Sequence, residues 1–333
     1  MNKIIYFSVY HRGIVLFTTA LLAAFGWFSF TNLPIDAVPD ITNTQVQVFA
    51  QAGGLSAEEA ERSITFPIEK SMGGISGVRQ VRSISRFGLS VVTVVFKDGY
   101  DIYRARQLVS ERLQSISSEL PQGTEPNLGP ISTGLGEIFF YALRYKESGA
   151  EDISGFEKLM KLRSVQEWDV KPRLLTVPGI AEVNTIGGYE KQFHVIPDPK
   201  KLTQYGISFS SIVDALESTN HNVGGGYVQQ SGEQFVVKGQ GLLSDLEDIK
   251  NTPLKPLNSI TVVLIKDVAD VKLSSELRTG AALVNGKEAV IGTAMMLLGE
   301  NSRDVSQRVA ERVEEIKKNL PKNVKLEVLY DRS

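Results

Sequence analysis

Two stretches of this 333-residue chain copy each other at a fixed distance. Residues 107–121 read QLVSERLQSISSELP, and residues 307–321 read QRVAERVEEIKKNLP. At this offset of 200 seven positions are identical, among them Gln107 and Gln307, Glu111 and Glu311, Arg112 and Arg312, and Pro121 and Pro321. Apolar residues at 109, 113, 116 and 120 recur at helical spacing, so each copy is an amphipathic helix ended by proline. A second pair matches at an offset of 102: Gly77-Val78-Arg79-Gln80-Val81 aligns with Gly179-Ile180-Ala181-Glu182-Val183, and Ile84 with Ile186. The step from 102 to 200 leaves about 98 extra residues in the second copy, between about Gly187 and Asn285. Such a chain folds as a duplicated unit whose second copy is interrupted.

In the first copy, residues 44–50 (TQVQVFA) alternate and predict a strand. Ser56 followed by Glu59 is a capping-box pattern opening a helix over 55–72. Pro67 inside it should kink or break the helix. Strands at 78–85 and 89–96 flank a turn at Phe87-Gly88, a helix covers 101–120, and a last strand follows Pro121. The order β-α-β-β-α-β is the ferredoxin-like, split βαβ pattern. The second copy has a strand at 137–146, a helix at 155–175 with Pro172 late in it, and a strand at 181–185. After the insertion come a strand at 289–297, a helix at 303–320 and a strand at 324–329.

The insertion predicts strands at 191–196, 234–238 and 261–265 and a helix at 208–218, a small α+β module. Within it residues 221–230 (HNVGGGYVQQ) read as a long hairpin or protruding loop. No Lys-Ser/Thr follows the three glycines and no helix starts there, which argues against a phosphate cradle.

Residues 13–35 carry no charged side chain, and 14–30 are strongly apolar. That length suits a helix crossing about 30 Å of hydrocarbon. Lys3 and Arg12 precede it and Asp36 and Asp40 follow, which places the N-terminus in the cytoplasm and the rest outside. Trp27 and Phe28 suit an interfacial belt. A cleaved signal peptide fits less well, because its apolar region is shorter and ends in small residues, whereas this one ends in Phe28-Ser29-Phe30-Thr31-Asn32.

The 36 basic and 38 acidic side chains nearly cancel, which argues against a nucleic-acid binder. The absence of cysteine excludes disulfides, thiolate metal sites and cysteine nucleophiles. Neither G-x-S-x-G nor H-E-x-x-H occurs, so an enzyme reading has no support. His194 reads as a strand histidine with one wet face and His221 as a solvated loop residue. Met72 and Met160 read as core. Met295 and Met296 are strand neighbours pointing to opposite faces, which suits packing better than joint metal chelation.

Carboxylates are the better candidates. Glu137 follows Ser132-Thr133-Gly134-Leu135-Gly136 and opens the apolar strand IFFYAL, where a charge can face a cleft or simply be a solvated strand end. Glu167 and Asp169 flank Trp168 on a helix, and Asp169 is the less routine of the two because it interrupts an apolar pattern. Their plain reading is a solvated helix face.

Several stretches resemble the heavy-metal cation branch, of the CzcA/CusA type, of the resistance–nodulation–division transporters. They are LPIDAVPDI at 33–41, ITFPIEKSM at 64–72, VRSISRFGLSVVTVVFKDGYDIYRARQLVSERL at 81–113, STGLGEIFFY at 132–141 and VPGIAEVNTIGGYEKQ at 177–192. The resemblance covers almost the whole chain. It implies an α+β fold: membrane helix 1 over 1–33 and a ferredoxin-like porter subdomain over 34–131. A second porter subdomain covers 132–186 and 286–333, with a docking subdomain inserted over 187–285. The loop at 221–230 would be an arm reaching a neighbouring subunit.

The resemblance also implies a function: export of a divalent cation (zinc, cobalt, cadmium or nickel) or of copper or silver, driven by protons. The pump would be a homotrimer in the bacterial inner membrane, with residues from about 34 onward in the periplasm. It would work with a periplasmic adaptor protein and an outer-membrane channel, without nucleic acid and without a cofactor, the metal being substrate. By this reading the chain is the front third of a pump, ending where a second membrane helix would begin. Glu137 carries over as a metal contact through the STGLGEI motif, and Asp169 follows through a looser match. Carboxylates suit divalent cations, whereas copper(I) favours Cys or Met. Two other readings compete: a single-pass anchored periplasmic binding or scaffold module, and a fragment of a drug-exporting relative.

Overall fold

The computed structural model describes residues 7, 9–31, 42–51, 53–146, 154–230, 233–239, 241–254, 262–278 and 280–333. The LPIDAVPDI stretch at 33–41 and the expected boundary at 34 lie outside the described residues. Helix α1 (Arg12–Thr31) is exposed over residues 16–30. It is the one helix among the described residues long and apolar enough to cross a membrane.

The chain divides into two compact units, one of residues 1–143, 169–185 and 291–333 and the other of residues 144–168 and 186–290. The first unit holds strand β1 (Gln45–Gln51), helix α2 (57–72), strands β2 (Val78–Arg86) and β3 (Leu89–Phe96), helix α3 (Ile102–Ile116) and strand β4 (Glu125–Leu128). The sheet order is β2-β3-β1-β4, antiparallel throughout, so β3 lies between β1 and β2 while β1 lies between β3 and β4. Alternation sets the register: Val46 opposes Val94, and Val48 opposes both Val92 and Leu128. All four valines are buried, joined by Ile64, Ile68 and Met72 of α2 and Val109, Leu113 and Ile116 of α3. Each such side chain contributes about 1.5–3 kcal/mol on burial, which is what fastens the two helices to one sheet face.

Helix α2 starts as the sequence predicts. Ser56 accepts from the Glu59 amide, and the Glu59 carboxylate accepts from the Ser56 amide. These bonds hold the Glu59 carboxyl below the usual carboxylate range. Of the kink or break expected at Pro67, the break does not occur. The helix passes through a π segment, Glu61–Thr65, and Pro67 then stands in the first turn of Phe66–Met72. Proline lacks an amide and crowds the carbonyl four residues back, and a widened turn just ahead of it relieves both problems. The same device recurs in helix α4 (155–175), where the π segment Gln166–Val170 precedes Pro172.

The second copy brings strand β5 (Glu137–Tyr145), α4, strands β6 (Ile180–Ile186) and β14 (Lys287–Met296), helix α9 (Ser302–Asn319) and strand β15 (Val324–Asp331). Its strands lie in the order β6-β14-β5-β15, the same order as in the first copy. The aligned Gly77 and Gly179 share a left-handed backbone, at φ +86° and +93°. Both are also closely packed: an added Cβ would strike the Tyr100 ring in one case and Val305 Cγ2 at 2.7 Å in the other. Only glycine meets both demands.

The second unit holds strand β7 (Lys191–Pro197), helices α5 (Pro199–Tyr205) and α6 (Phe209–Thr219), strands β8 (Val223–Gln230) and β9 (Glu233–Gly239) and helix α7 (Leu246–Lys250). Strands β10 (Pro253–Leu254) and β11 (Val263–Leu264), helix α8 (Ile265–Val268) and strands β12 (Ala269–Ser275) and β13 (Ala282–Val284) follow. Antiparallel β7 and β12 pack with α6 and α8 over Ile212, Ile249, Ile265 and Val271. Residues 223–230 of the 221–230 stretch form strand β8, which pairs antiparallel with β9, and Tyr227 and Val228 are exposed. The predicted strand at 261–265 shrinks to Val263–Leu264, because a helical turn begins at Ile265 with Asp267 accepting from the Leu264 amide at 2.9 Å. Residue 261 lies outside the described residues.

Candidate functional site

Glu137 stands where a 3₁₀ turn, Gly134–Gly136, hands over to β5. The turn closes through the Gly136 amide on the Thr133 carbonyl at 2.9 Å. Gly136 is buried against β14, and a Cβ there would lie 3.0 Å from the Met296 carbonyl oxygen. Ile138 and Phe139, immediately after, are fully buried. Glu137 itself is exposed. A buried glycine on one side and a buried strand on the other thus present its carboxylate outward. Among the described residues it makes no ion pair.

Asp169 lies in the π segment of α4 and is bound to Arg173 at 2.7 Å, one helical turn on. A metal taking Asp169 would first have to separate that pair. Glu167 lies 3.0 Å from Arg163, with both side chains largely covered. Trp168, between the two acids in sequence, is 84% exposed. The carboxylates flanking Trp168 are therefore paired rather than simply solvated.

The remaining donors are dispersed. His194 is half-buried on β7 and shares a hydrogen bond with Gln192 at 3.1 Å, while His221 is exposed. Met72 and Met160 are core residues. Met295 and Met296 are both buried, and the Asn184 amide donates to Met295 Sδ at 2.9 Å. Among the described residues no three His, Asp or Glu side chains gather as a metal-binding group. Glu137 and Asp169 are not brought together with further ligands, so each is a single carboxylate.

Sequence reasoning missed the residues that hold the Glu137 turn. The Arg332 guanidinium donates to the Leu135 carbonyl at 2.6 Å, and the Arg332 amide donates to the Ile138 carbonyl at 3.1 Å. Buried Ser306 on α9 donates to Asp331 at 2.7 Å. The usable signal was the repeat itself: Ser306 is the copy of Arg106, which donates to the Gly129 carbonyl where the first copy's last strand ends. Burial pushes the Arg106 guanidinium down from its ordinary range.

Residues 4–333 match the AcrB/AcrD/AcrF family. The chain belongs to that family. The heavy-metal branch read from the sequence is borne out by individual members. The chain is 52% identical over 333 residues to protein HelA of Legionella pneumophila, covering 100% of this chain and 31% of HelA. It is 46% identical over 332 residues to the cobalt-zinc-cadmium resistance protein CzcA of Cupriavidus metallidurans, again 100% of this chain and 31% of the relative. A crystal structure of a heavy metal efflux pump superposes with a TM-score of 0.82 at 36% identity, over 96% of this chain and 31% of that one. The chain therefore spans about a third of the length of the relatives it matches.

Proposed function

We propose that this chain forms the front part of a proton-driven heavy-metal efflux pump: its first membrane helix, two porter subdomains and an inserted docking subdomain. The observation that carries this reading is the 46% identity to CzcA over 332 residues, 100% of this chain. The repeated 2-3-1-4 strand order supports two ferredoxin-like porters, over 34–131 and over 132–186 with 286–333. The docking subdomain takes 187–285. Helix α1 anchors the protein in the bacterial inner membrane, with the residues from about 34 onward in the periplasm.

In this reading the protein is a transporter and not an enzyme. It assembles as a homotrimer with a periplasmic adaptor and an outer-membrane channel. Its substrate is a divalent cation such as zinc, cobalt, cadmium or nickel, which an oxygen ligand suits better than it suits copper(I). Glu137 contacts the cation in passage. Its outward, unpaired carboxylate costs nothing to disengage, whereas Asp169 has to leave Arg173 and serves less well.

The test is export by the complete protein in a host sensitive to these metals. Lowered cell-associated zinc or cobalt is the expected result, and Glu137→Gln should weaken it while the trimer still forms. Unchanged metal content with the intact protein would remove the pump reading, and undiminished export by the variant would remove Glu137 from the path.

A further inference from the structure

The chain linking the two copies, residues 129–137, is tied down along its length. Arg106 holds the Gly129 carbonyl, the Leu298 amide holds the Ile131 carbonyl at 3.1 Å, and Arg332 holds the Leu135 carbonyl at 2.6 Å. The Arg332 amide also reaches the Ile138 carbonyl at 3.1 Å and the Ser306 hydroxyl at 3.2 Å. One residue therefore bonds the backbone two positions before Glu137 and one position after it.

Arg332 is itself fixed from behind. Ser306 is fully buried and donates to Asp331 Oδ1 at 2.7 Å, and the Ser333 amide donates to the same oxygen at 2.9 Å. The end of β15 thus has one direction relative to α9. Glu137 has no ion pair of its own among the described residues, so its aim depends on the backbone on either side of it. Ligand groups act when held to within about 0.5 Å of their working geometry, and the groups that hold them matter accordingly.

We propose that Arg332 is a positioning residue for Glu137: it fixes the Leu135–Ile138 backbone so that the carboxylate is presented to a divalent cation. By the same bonds, a displacement of the chain at 331–333 is passed to Glu137. This inference rests on Glu137 being a metal contact. It adds a residue that never touches the metal, and a link between the carboxylate and the segment that leaves β15.

The experiment uses the complete protein in proteoliposomes, with Zn²⁺ as the transported probe, and compares R332A, R332K, E137Q and the double variant E137Q/R332A. R332A is expected to raise the half-saturating Zn²⁺ about tenfold while the maximal rate stays within about twofold. R332K, which keeps a donor but not the planar fork, should recover part of the affinity. In the double variant the R332A effect should vanish, because there is no carboxylate left to aim. If E137Q transports normally, the metal-contact reading and this inference both fall. If E137Q impairs transport and R332A adds its full effect on top, the metal contact stands and the positioning role is overturned. A fall in maximal rate with unchanged half-saturation also overturns it, as mere structural damage. Should R332A not reach the membrane, R332K and E137Q/R332K are read in the same way.

Discussion

The Thr65 hydroxyl meets the Ser90 hydroxyl at 2.7 Å between α2 and the sheet, and both residues are buried. Thr65 also reaches the Ser85 hydroxyl at 2.9 Å and the Ala60 carbonyl at 3.3 Å. Three hydroxyls satisfy one another where a π segment faces strands β2 and β3. Thr65→Val keeps the shape and deletes the hub, leaving buried Ser90 without this partner. We expect a loss of about 1–3 kcal/mol in unfolding free energy, read from urea midpoints of the chain in detergent. Adding Ser90→Ala should recover part of it, because removing both partners costs less than orphaning one. An unchanged midpoint for Thr65→Val would show that the trio is incidental.

Gly179→Ala meets two obstacles, a φ of +93° and Val305 Cγ2 at 2.7 Å. Destabilisation by about 1–3 kcal/mol is expected from the overpacking, with the left-handed backbone adding to it. Val305→Ala, which removes the struck methyls, should relieve the Val305 contact and leave the strain of the left-handed backbone. The paired measurement is thermal unfolding of the single and double variants. Equal melting of Gly179→Ala and the unaltered chain would contradict it.

The Asp248 carboxylate accepts from both the hydroxyl and the amide of Ser244, at 2.7 and 2.9 Å, and these bonds hold it below the usual carboxylate range. A depressed carboxyl stabilises the folded form above its unfolded pKa, and that stabilisation disappears as pH falls through the folded value. Acid should therefore loosen the start of α7. Ser244→Ala should move the Asp248 titration upward, toward the ordinary value, in an NMR pH series. A curve that does not move would assign the depression elsewhere.

Leu22 is near the middle of α1 and exposed. Arginine there carries a cost of about 2.5–3.5 kcal/mol for membrane insertion. Leu22→Arg should therefore shift the chain out of the alkaline-carbonate-resistant membrane fraction, whereas Leu22→Ile should not. Equal extraction of both variants would argue that α1 does not span.

Much of the architecture was legible because the repeat and the periodicities are local signals. Strand β3 was predicted at its observed bounds, and Ser56 and Glu59 announced the start of α2. Short pieces of the insertion were not legible. Helix α7 and strand β13 are too brief to show a period, and their burial depends on neighbours far along the chain. The π segments escaped for another reason: proline signals a break, but whether a helix breaks or widens depends on what its next turn packs against. Here Ile68 and Met72 remain in the core beyond Pro67, which holds the helix together.

For the site, the sequence by itself picked out Glu137 as a charge between a glycine-rich turn and an apolar strand. It also fixed the duplication, the insertion and the apolar first helix, all of which follow from side-chain identity at set spacings. Tertiary structure alone decided which acids are free to bind. Asp169 and Arg173 are four residues apart, and Arg163 and Glu167 likewise, yet spacing permits such pairs without requiring them. Arg332 and Leu135 are separated by almost the whole second copy and the insertion. Their bond exists because β15 returns to lie beside β5, and no local pattern of residues encodes a contact made by the closing strand of a sheet.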